Sequence, residues 1–169
     1  MLAAGVDAVP EGPGLAYEPK WDGWRNIAFR ANDQVYLQSR AGRNLTPYFP
    51  DITRALRAAV PPGTILDGEL VVWQRDRTNF ALLQRRITAG GQLLTFASEY
   101  PAHYVVFDLL SAPPGRPLLD APLVERRALL VDLLADAPTR ITLSPQTTDI
   151  ALATEWLTTW TSAGIEGLL

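Results

Sequence analysis

The chain has 169 residues, a length that suits one domain with a substantial core. Hydrophobic residues make up 47% of it and charged residues 20%, which is typical of a globular protein and excludes a disordered or a membrane-spanning chain. It contains no cysteine and one histidine, His103, which excludes disulfides and a structural zinc site. The first residues lack the basic start and apolar stretch of a signal peptide, so we expect a cytoplasmic protein without membrane contact.

The net charge of −3 is unevenly distributed along the chain. Residues 20–43 hold five basic groups against two acids, whereas residues 120–169 hold three basic groups against seven acids. A basic first part can meet phosphates while the acidic second part stays solvated. A chance fluctuation over so short a segment explains the same numbers.

The hydrophobic pattern predicts an α+β fold. Residues 15–20 alternate as a strand does, and residues 24–30 and 35–39 flank the polar turn 31–34, as in a β-hairpin. The later elements follow in the order helix, strand, helix, strand, helix and helix, over residues 48–60, 64–74, 79–87, 103–110, 121–137 and 147–164. For the last helix we expect a cap at Thr148 or Asp149 and an end at Gly164. The intervening Pro and Gly clusters are connectors within one domain.

Lys20 is the single lysine of the chain, so the other 14 basic residues are arginines. It lies in the stretch YEPKWDGWR, residues 17–25, between a proline and a tryptophan. A lone lysine among arginines suggests a deprotonatable amine, since arginine does not lose its proton in proteins. An ordinary surface lysine beside a tight Asp-Gly turn explains the stretch equally well.

Three acidic motifs are associated with predicted strands: DGEL at 67–70, FDLL at 107–110 and EGLL at 166–169. Carboxylates inside apolar strands are costly unless they are paired, hydrogen-bonded or bound to a cation. Capping of a neighbouring loop is the common explanation for any one of them. Together with Lys20 they suggest a site in which carboxylates hold Mg²⁺ and the ring of Phe107 meets a purine.

The motifs KWDG, SRAGR, DGEL, FDLL and EGLL, in this order and spacing, resemble the covalent nucleotidyltransferase domain of ATP-dependent DNA ligases. The compact bacterial type, a catalytic domain followed by an oligonucleotide-binding domain, is the most similar. KxDG alone is a weak signal, but five motifs in order over the whole chain are a strong one. The resemblance implies an α+β, ATP-grasp-like nucleotidyltransferase fold with antiparallel sheets and flanking helices. It implies ATP and Mg²⁺ as cofactors and nicked double-stranded DNA as substrate, in repair or recombination.

The resemblance also implies a role for each matched residue. Lys20, on a loop between strands and desolvated by Trp21 and Trp24, would attack the α-phosphate of ATP to form lysyl-AMP. The other implied roles are adenine recognition by Glu18, presentation of the lysine by Pro19, ribose or nick contact by Arg25, phosphate binding by Arg40, ribose and metal contact by Glu69, stacking on adenine by Phe107, and metal binding by Glu166.

Several aromatic and polar residues have plainer explanations. Without the motif context, Phe107 would be a core residue. An ordinary surface charge explains Arg40 as well as phosphate binding does. We expect His103 to be a polar residue entering a strand. Trp156 and Trp160, at helical spacing, are expected in the core rather than on a base-stacking surface.

The sequence departs from the family pattern at its end. The pattern continues past EGLL with a strand carrying two lysines, which hold the α-phosphate and help expel pyrophosphate, and then with an oligonucleotide-binding domain; neither occurs in these 169 residues. We therefore expect residues 1–169 to be an incomplete adenylation domain that adenylates itself and holds nicked DNA poorly. An RNA ligase, a capping-type nucleotidyltransferase and a non-catalytic nucleotide-binding remnant are the alternatives.

Overall fold

The computed structural model describes residues 4–169. Its strands are β1 (Pro19–Trp21), β2 (Trp24–Arg30), β3 (Val35–Ser39), β4 (Ile65–Gln74), β5 (Arg77–Thr78), β6 (Ala102–Ala112), β7 (Arg116–Pro117), β8 (Ile141–Leu143) and β9 (Ile165–Leu168). Its α-helices are α1 (Pro50–Ala59), α2 (Phe80–Thr88), α3 (Leu93–Glu99), α4 (Leu123–Leu133) and α5 (Ile150–Thr159), and short 3₁₀ helices cover Thr46–Tyr48 and Gly90–Gln92. None of the helices in this described part is long and apolar enough to cross a bilayer.

Seven strands form one twisted sheet in the order β3-β2-β4-β6-β7, to which β5 adds beside β4 and β8 beside β6. Strands β1 and β9, from opposite ends of the chain, form a separate antiparallel pair. The predicted α+β architecture with antiparallel sheets is confirmed. The exception is β8, which runs parallel to β6 and was not predicted.

The core lies between one face of the large sheet and the helices. Along β4 the side chains alternate, so that Leu66, Leu70 and Val72 are buried on the helix side while Asp67 and Glu69 belong to the other face. The helices contribute buried side chains to the same core, namely Ile52, Leu56, Leu82, Leu83, Phe96 and Leu130. Because the helices cover one face, the opposite face of β2, β4 and β6 is left for a site.

The predicted helices form, but most are shorter than the pattern suggested. The carboxylate of Asp149 accepts the backbone N–H of Ala151 at 2.8 Å, which confirms the expected cap of α5. That helix ends at Thr159, and a turn leads to Gly164, whose φ of +102° favours glycine. Helix α3 was not predicted; its buried side chains are those of Phe96 and Ala97.

Of three residues with plainer explanations, His103 and Trp156 lie where they were expected, whereas Trp160 is only half-buried and not in the core. His103 is in β6, and its ring nitrogen Nδ1 lies 3.2 Å from the carbonyl oxygen of Thr139. Trp156 is buried, and Trp160 stacks on it with ring centroids 5.2 Å apart. Trp160 also contacts Trp21 of strand β1, with ring centroids 6.3 Å apart.

Candidate active site

A cavity of about 600 Å³ opens on the face of the sheet that the helices leave uncovered. This volume is within the usual range for nucleotide-sized ligands. Residues from β1, β2, β4, β6 and the loop after β3 line it, among them Glu18, Pro19, Lys20, Trp21, Arg25, Arg40, Glu69 and Phe107. The structure thus brings Glu18 and Phe107, which are 89 positions apart in the sequence (18 to 107), to the same cavity.

Lys20 lies in strand β1 and not, as predicted, on a loop. It is opposite Gly167 of β9, and its Nζ forms an ion pair with the carboxylate of Glu166, the next residue along β9 towards the helix α5 side. The pairing of β1 with β9 therefore brings the two charges together; Lys20 lines the cavity, whereas Glu166 is not among its lining residues. The expected strand at the EGLL motif is β9 itself.

The expected desolvation of Lys20 by two tryptophans is wrong. Trp21 lines the cavity, and its Nε1 donates to Ser144 Oγ at 3.1 Å. Trp24 belongs to the opposite face of the sheet, where it packs edge-on against Phe49. The reason is the two-residue alternation of strands, which turns the Trp24 ring into the core. The Lys20 side chain is consequently 42% exposed.

Glu69 and Arg25 face each other across β4 and β2. Arg25 donates from Nε and Nη2 to the two carboxylate oxygens of Asp67, at 3.1 and 2.8 Å, in a fork that fixes the guanidinium. Burial raises the pKa of Glu69 to about 8, against the lowering charges of Arg25 and Lys20. The ion pair of Arg25 with Asp67 was not foreseen, although Asp67 belongs to the recognised DGEL motif.

Phe107 occupies an irregularity in β6. Gly68 is opposite Val106 while Asp67 is opposite Asp108, so Phe107 is an extra residue in the ladder. Such β-bulges re-aim a side chain, and they are frequent beside functional sites. The ring of Phe107 lies under the guanidinium of Arg25, whose Cζ is 5.5 Å from the ring centroid, and it lines the cavity rather than the core.

Arg40 reaches the cavity from the turn that follows β3. The turn is closed by the backbone N–H of Gly42, which donates to the carbonyl of Ser39 at 2.8 Å, and by the N–H of Arg43, which donates to Ser39 Oγ at 3.0 Å. Gly42 has a φ of +78° there. The turn is exposed, so Arg40 has the reach and solvent access that a phosphate-binding arginine needs.

Glu18 is held from behind the cavity by two residues that the sequence did not reveal. Gln146 Nε2 donates to Glu18 Oε1 at 2.6 Å, and Arg127 Nη1 lies 3.9 Å from the same oxygen. The only feature of the sequence that could have pointed to Arg127 was the pair of arginines in helix α4. Nothing in the sequence marks Gln146.

The carboxylates of Glu69 and Glu166 fit a magnesium ion better than a zinc ion. Within residues 4–169, no group of three or more His, Cys, Asp or Glu forms a preassembled metal cluster. Mg²⁺ needs only one or two carboxylates when phosphate oxygens and water complete its shell. A cation would also stabilise the ionised form of Glu69, whose pKa burial raises.

Gly23 of the KWDG motif lets β2 approach β4 closely. A Cβ at this position would lie 2.3 Å from the carbonyl oxygen of Leu70 and 2.8 Å from Cγ of Glu69. We expect Gly23→Ala to destabilise the protein by about 1–3 kcal/mol, since backbone cannot yield to the added atom and the turn after Lys20 must shift. The measurement is the urea midpoint of unfolding.

Gly91→Ala is the matched control, because a Cβ at Gly91 meets no atom within 4 Å and the backbone there is not left-handed. It should unfold at the wild-type urea concentration. Equal midpoints for the two variants would show that the close approach at Gly23 is not needed.

The model of the ATP dependent DNA ligase domain family matches residues 1–169. The chain belongs to this family. Among curated relatives of this ligase domain, DNA ligase C of Mycobacterium tuberculosis is 41% identical over 178 residues, and DNA ligase C2 of Mycolicibacterium smegmatis is 38% identical over 174 residues. Each match covers 100% of the chain but 48% and 47% of the relative, so the chain spans about half the length of these proteins.

Solved structures of the family have the same fold as this ligase domain. A mycobacterial DNA ligase D complexed with ATP and MES superimposes with a TM-score of 0.67 at 30% identity, covering 90% of the chain and 46% of that protein. The ligase domain of M. tuberculosis LigD gives a TM-score of 0.68 at 27% identity with the same coverage. The expected nucleotidyltransferase fold is therefore confirmed, and the relatives' names give no support to an RNA ligase or capping enzyme.

Proposed function

We propose that residues 1–169 are the adenylation domain of an ATP-dependent DNA ligase and that Lys20 is its nucleophile. One observation carries this proposal. The amine of the single lysine lines a cavity of about 600 Å³ together with an aromatic ring, two carboxylates and two arginines. An amine, a flat ring for a purine and cations for phosphates are the groups that a covalent nucleotidyl transfer requires.

The first chemical step forms a bond between Lys20 Nζ and the α-phosphorus of ATP. The bond from that phosphorus to the bridging oxygen breaks, and pyrophosphate leaves with the electron pair. The amine must lose a proton, because only the neutral amine has a lone pair to donate. In the free chain its ion pair with Glu166 holds the ammonium in place, so this pair must break before attack.

The cavity walls supply the binding groups for the nucleotide. The Phe107 ring would stack on the adenine, and Glu18 would accept a hydrogen bond from its amino group. Arg25 is fixed by Asp67 and would contact the ribose or the nick, whereas Arg40 is on a solvent-accessible turn and would hold phosphate. Such preorganised cations stabilise charge that develops on the phosphates, without reorganising during the reaction.

Glu69 and Glu166 would hold Mg²⁺ together with phosphate oxygens and water. The ion, when bound, neutralises phosphate charge and so favours attack by the amine. Glu69 is half-buried on β4 and Glu166 is on β9, so the site depends on the two sheets being packed together.

The later steps of the proposed reaction belong to the complete ligase. AMP passes from the lysine to the 5′-phosphate at a nick, and the 3′-hydroxyl then displaces AMP to seal the strand, in cytoplasmic DNA repair or recombination. These 169 residues contain one lysine, so the two later lysines of the family pattern are outside them. Each absent charge donor costs about 10²–10³ in rate, and we therefore propose that these residues alone adenylate slowly.

The test is incubation of the 169-residue chain with Mg²⁺ and ATP labelled either at the α- or at the γ-phosphorus. We expect the α-label to attach covalently over hours and the γ-label not to attach, because pyrophosphate carries it away. The attached label should be released by acid, as a phosphoramidate is, and should move to the 5′-phosphate of added nicked DNA.

Retention of the γ-label would contradict adenylation and indicate phosphorylation instead. Absence of α-label after prolonged incubation, in a chain that binds ATP, would favour the non-catalytic remnant. Stoichiometric labelling within minutes would show that the two later lysines are dispensable for this step.

A further inference from the structure

Glu18 has a supporting pair of residues on the side away from the cavity. Its Oε1 accepts the amide N–H of Gln146 at 2.6 Å and lies 3.9 Å from Arg127 Nη1. Its Oε2 has no hydrogen-bond partner among the side chains of residues 4–169, and the residue lines the cavity. One carboxylate oxygen is thus anchored and the other is available to a ligand.

The backbone fixes both supporting residues relative to Glu18. Tyr17 and Thr147 exchange two backbone hydrogen bonds, of 2.7 and 3.0 Å, so the residues that adjoin them, Glu18 and Gln146, are held side by side. Arg127 projects from helix α4, and its Nη2 donates to the carbonyl of Ser144. Ser144 itself is fully buried and bonds through its N–H to Val106 of β6, at 2.7 Å.

The guanidinium of Arg127 divides between two partners, with Nη2 on the carbonyl of Ser144 and Nη1 towards Glu18. Its side chain is 13% exposed, and its buried Nη1 has no hydrogen-bond partner in the part of the chain that the structure describes. Burying a guanidinium with an unpaired N–H is unfavourable unless its charge is used. The neighbouring Arg126 is at a similar depth, with 17% exposure, but its fork holds Asp108 instead, at 2.8 and 2.9 Å.

The charge of Glu18 depends on these neighbours. Burial raises the pKa of the Glu18 carboxyl, the hydrogen bond from Gln146 and the positive charge of Arg127 lower it, and the negative charge of Asp108 raises it. Without Arg127 and Gln146, a carboxyl buried to this degree would be protonated at a higher pH. The two side chains therefore oppose the effect of burial.

We propose that Arg127 and Gln146 are positioning residues that keep Glu18 an ionised hydrogen-bond acceptor and thereby make the site select a 6-aminopurine nucleotide over a 6-oxopurine nucleotide. This inference rests on the proposed function. Adenine presents an amino donor at its 6-position, whereas guanine presents an oxygen acceptor there. A carboxylate accepts from the first and repels the second, but a protonated carboxyl can donate to the oxygen of guanine.

The experiment compares ATP with GTP in Arg127→Met. We expect the ratio of kcat/KM for lysyl-nucleotide formation, ATP over GTP, to fall by about tenfold or more when the charge is removed. Arg127→Lys should restore most of the ratio, since it returns the positive charge. The ATP preference should also disappear as the pH is lowered and Glu18 becomes protonated. In Arg127→Met this loss should occur at a higher pH than in wild type, because the pKa of Glu18 rises.

Arg126→Met is the matched control, from the same helix and the same depth. It should lower the ATP to GTP ratio much less than Arg127→Met does, because Arg126 pairs with Asp108 and reaches Glu18 only through the charge of that residue. A ratio that falls equally in both variants would attribute the effect to loosening of α4 and overturn the inference. An unchanged ratio in Arg127→Met would also overturn it.

Two further arms separate failure of this inference from failure of the proposed function. The first arm measures binding of ATP and of GTP to Lys20→Ala by the quenching of tryptophan fluorescence. It needs no covalent step, so it tests selectivity even if no lysyl-AMP forms in wild type. If Arg127→Met does not fold, as judged by circular dichroism, Gln146→Leu takes its place, with the same expected fall in the ratio. If Arg127→Met forms lysyl-AMP with an unaltered ATP to GTP ratio, the selectivity inference is wrong but the proposed function stands.

Discussion

Replacing Lys20 by arginine is expected to abolish covalent labelling by α-labelled ATP. The rate should fall by on the order of 10⁶, the scale on which loss of an enzyme nucleophile acts. Arginine keeps the positive charge that pairs with Glu166 of β9 but does not lose its proton, so it cannot attack phosphorus. Labelling is measured by gel autoradiography, and ATP binding by calorimetry.

This substitution separates binding from chemistry. Because the ion pair with Glu166 can be re-formed, ATP should still bind to Lys20→Arg, which a simple collapse of the site would prevent. Lys20→Ala is the companion variant, which removes both the charge and the nucleophile. Labelling of Lys20→Arg at the wild-type rate would refute covalent catalysis by this residue.

Replacing Arg86 by methionine is expected to destabilise the fold by about 3–5 kcal/mol, because it removes the fork that neutralises Asp51 inside the protein. The carboxylate keeps only the N–H of Ala102, at 2.9 Å, and the more distant Arg140 Nη1, at 3.8 Å. Arg86 is fully buried, and its guanidinium forms a fork on Asp51 with distances of 2.8 and 2.9 Å. It also donates to the carbonyl of Tyr100 at 2.7 Å and lies on the ring of Phe49. Urea unfolding at neutral pH measures the loss.

The neighbouring residue supplies the control for this prediction. Arg85 is exposed, and its contact is with the ring of Phe96, whose centroid is 4.9 Å from Cζ. Arg85→Met should cost at most about 1 kcal/mol, as expected for an exposed cation over a ring. A similar loss of stability in both variants would mean that the fork on Asp51 contributes little beyond packing.

Local patterns in the sequence were sufficient for most of the elements. The hairpin of β2 and β3, the buried strands β4 and β6, and helices α1, α2, α4 and α5 follow from hydrophobic periodicity and from turn residues, and the Asp149 cap from its side-chain oxygen. Helix α3 and strands β5, β7 and β8 were missed. Strand β8 has three residues and is held by its parallel pairing with β6, a tertiary contact that no local pattern reports.

The position of Lys20 also depends partly on the sequence pattern and partly on a tertiary contact. The motif order was enough to single out this lysine and the residues around the cavity. That Lys20 is in a strand depends on β9, which begins 145 positions later (20 to 165) and pairs with β1 only when the chain has folded. The direction of Trp24 was misjudged because strand alternation, and not proximity in sequence, decides which side of a sheet a ring faces.

The sequence by itself determined the family, the fold class and the candidate chemical groups, because these depend on residue types at set intervals. It could not distinguish Arg85 from Arg86 or Arg126 from Arg127, since adjacent arginines look alike in a sequence. Successive residues of a helix point in different directions, so the two arginines of each pair contact different partners. The burial of each guanidinium then decides how strongly its charge interacts with that partner. The support of Glu18 by Gln146 was decided by the tertiary structure alone, because it joins residues 128 positions apart.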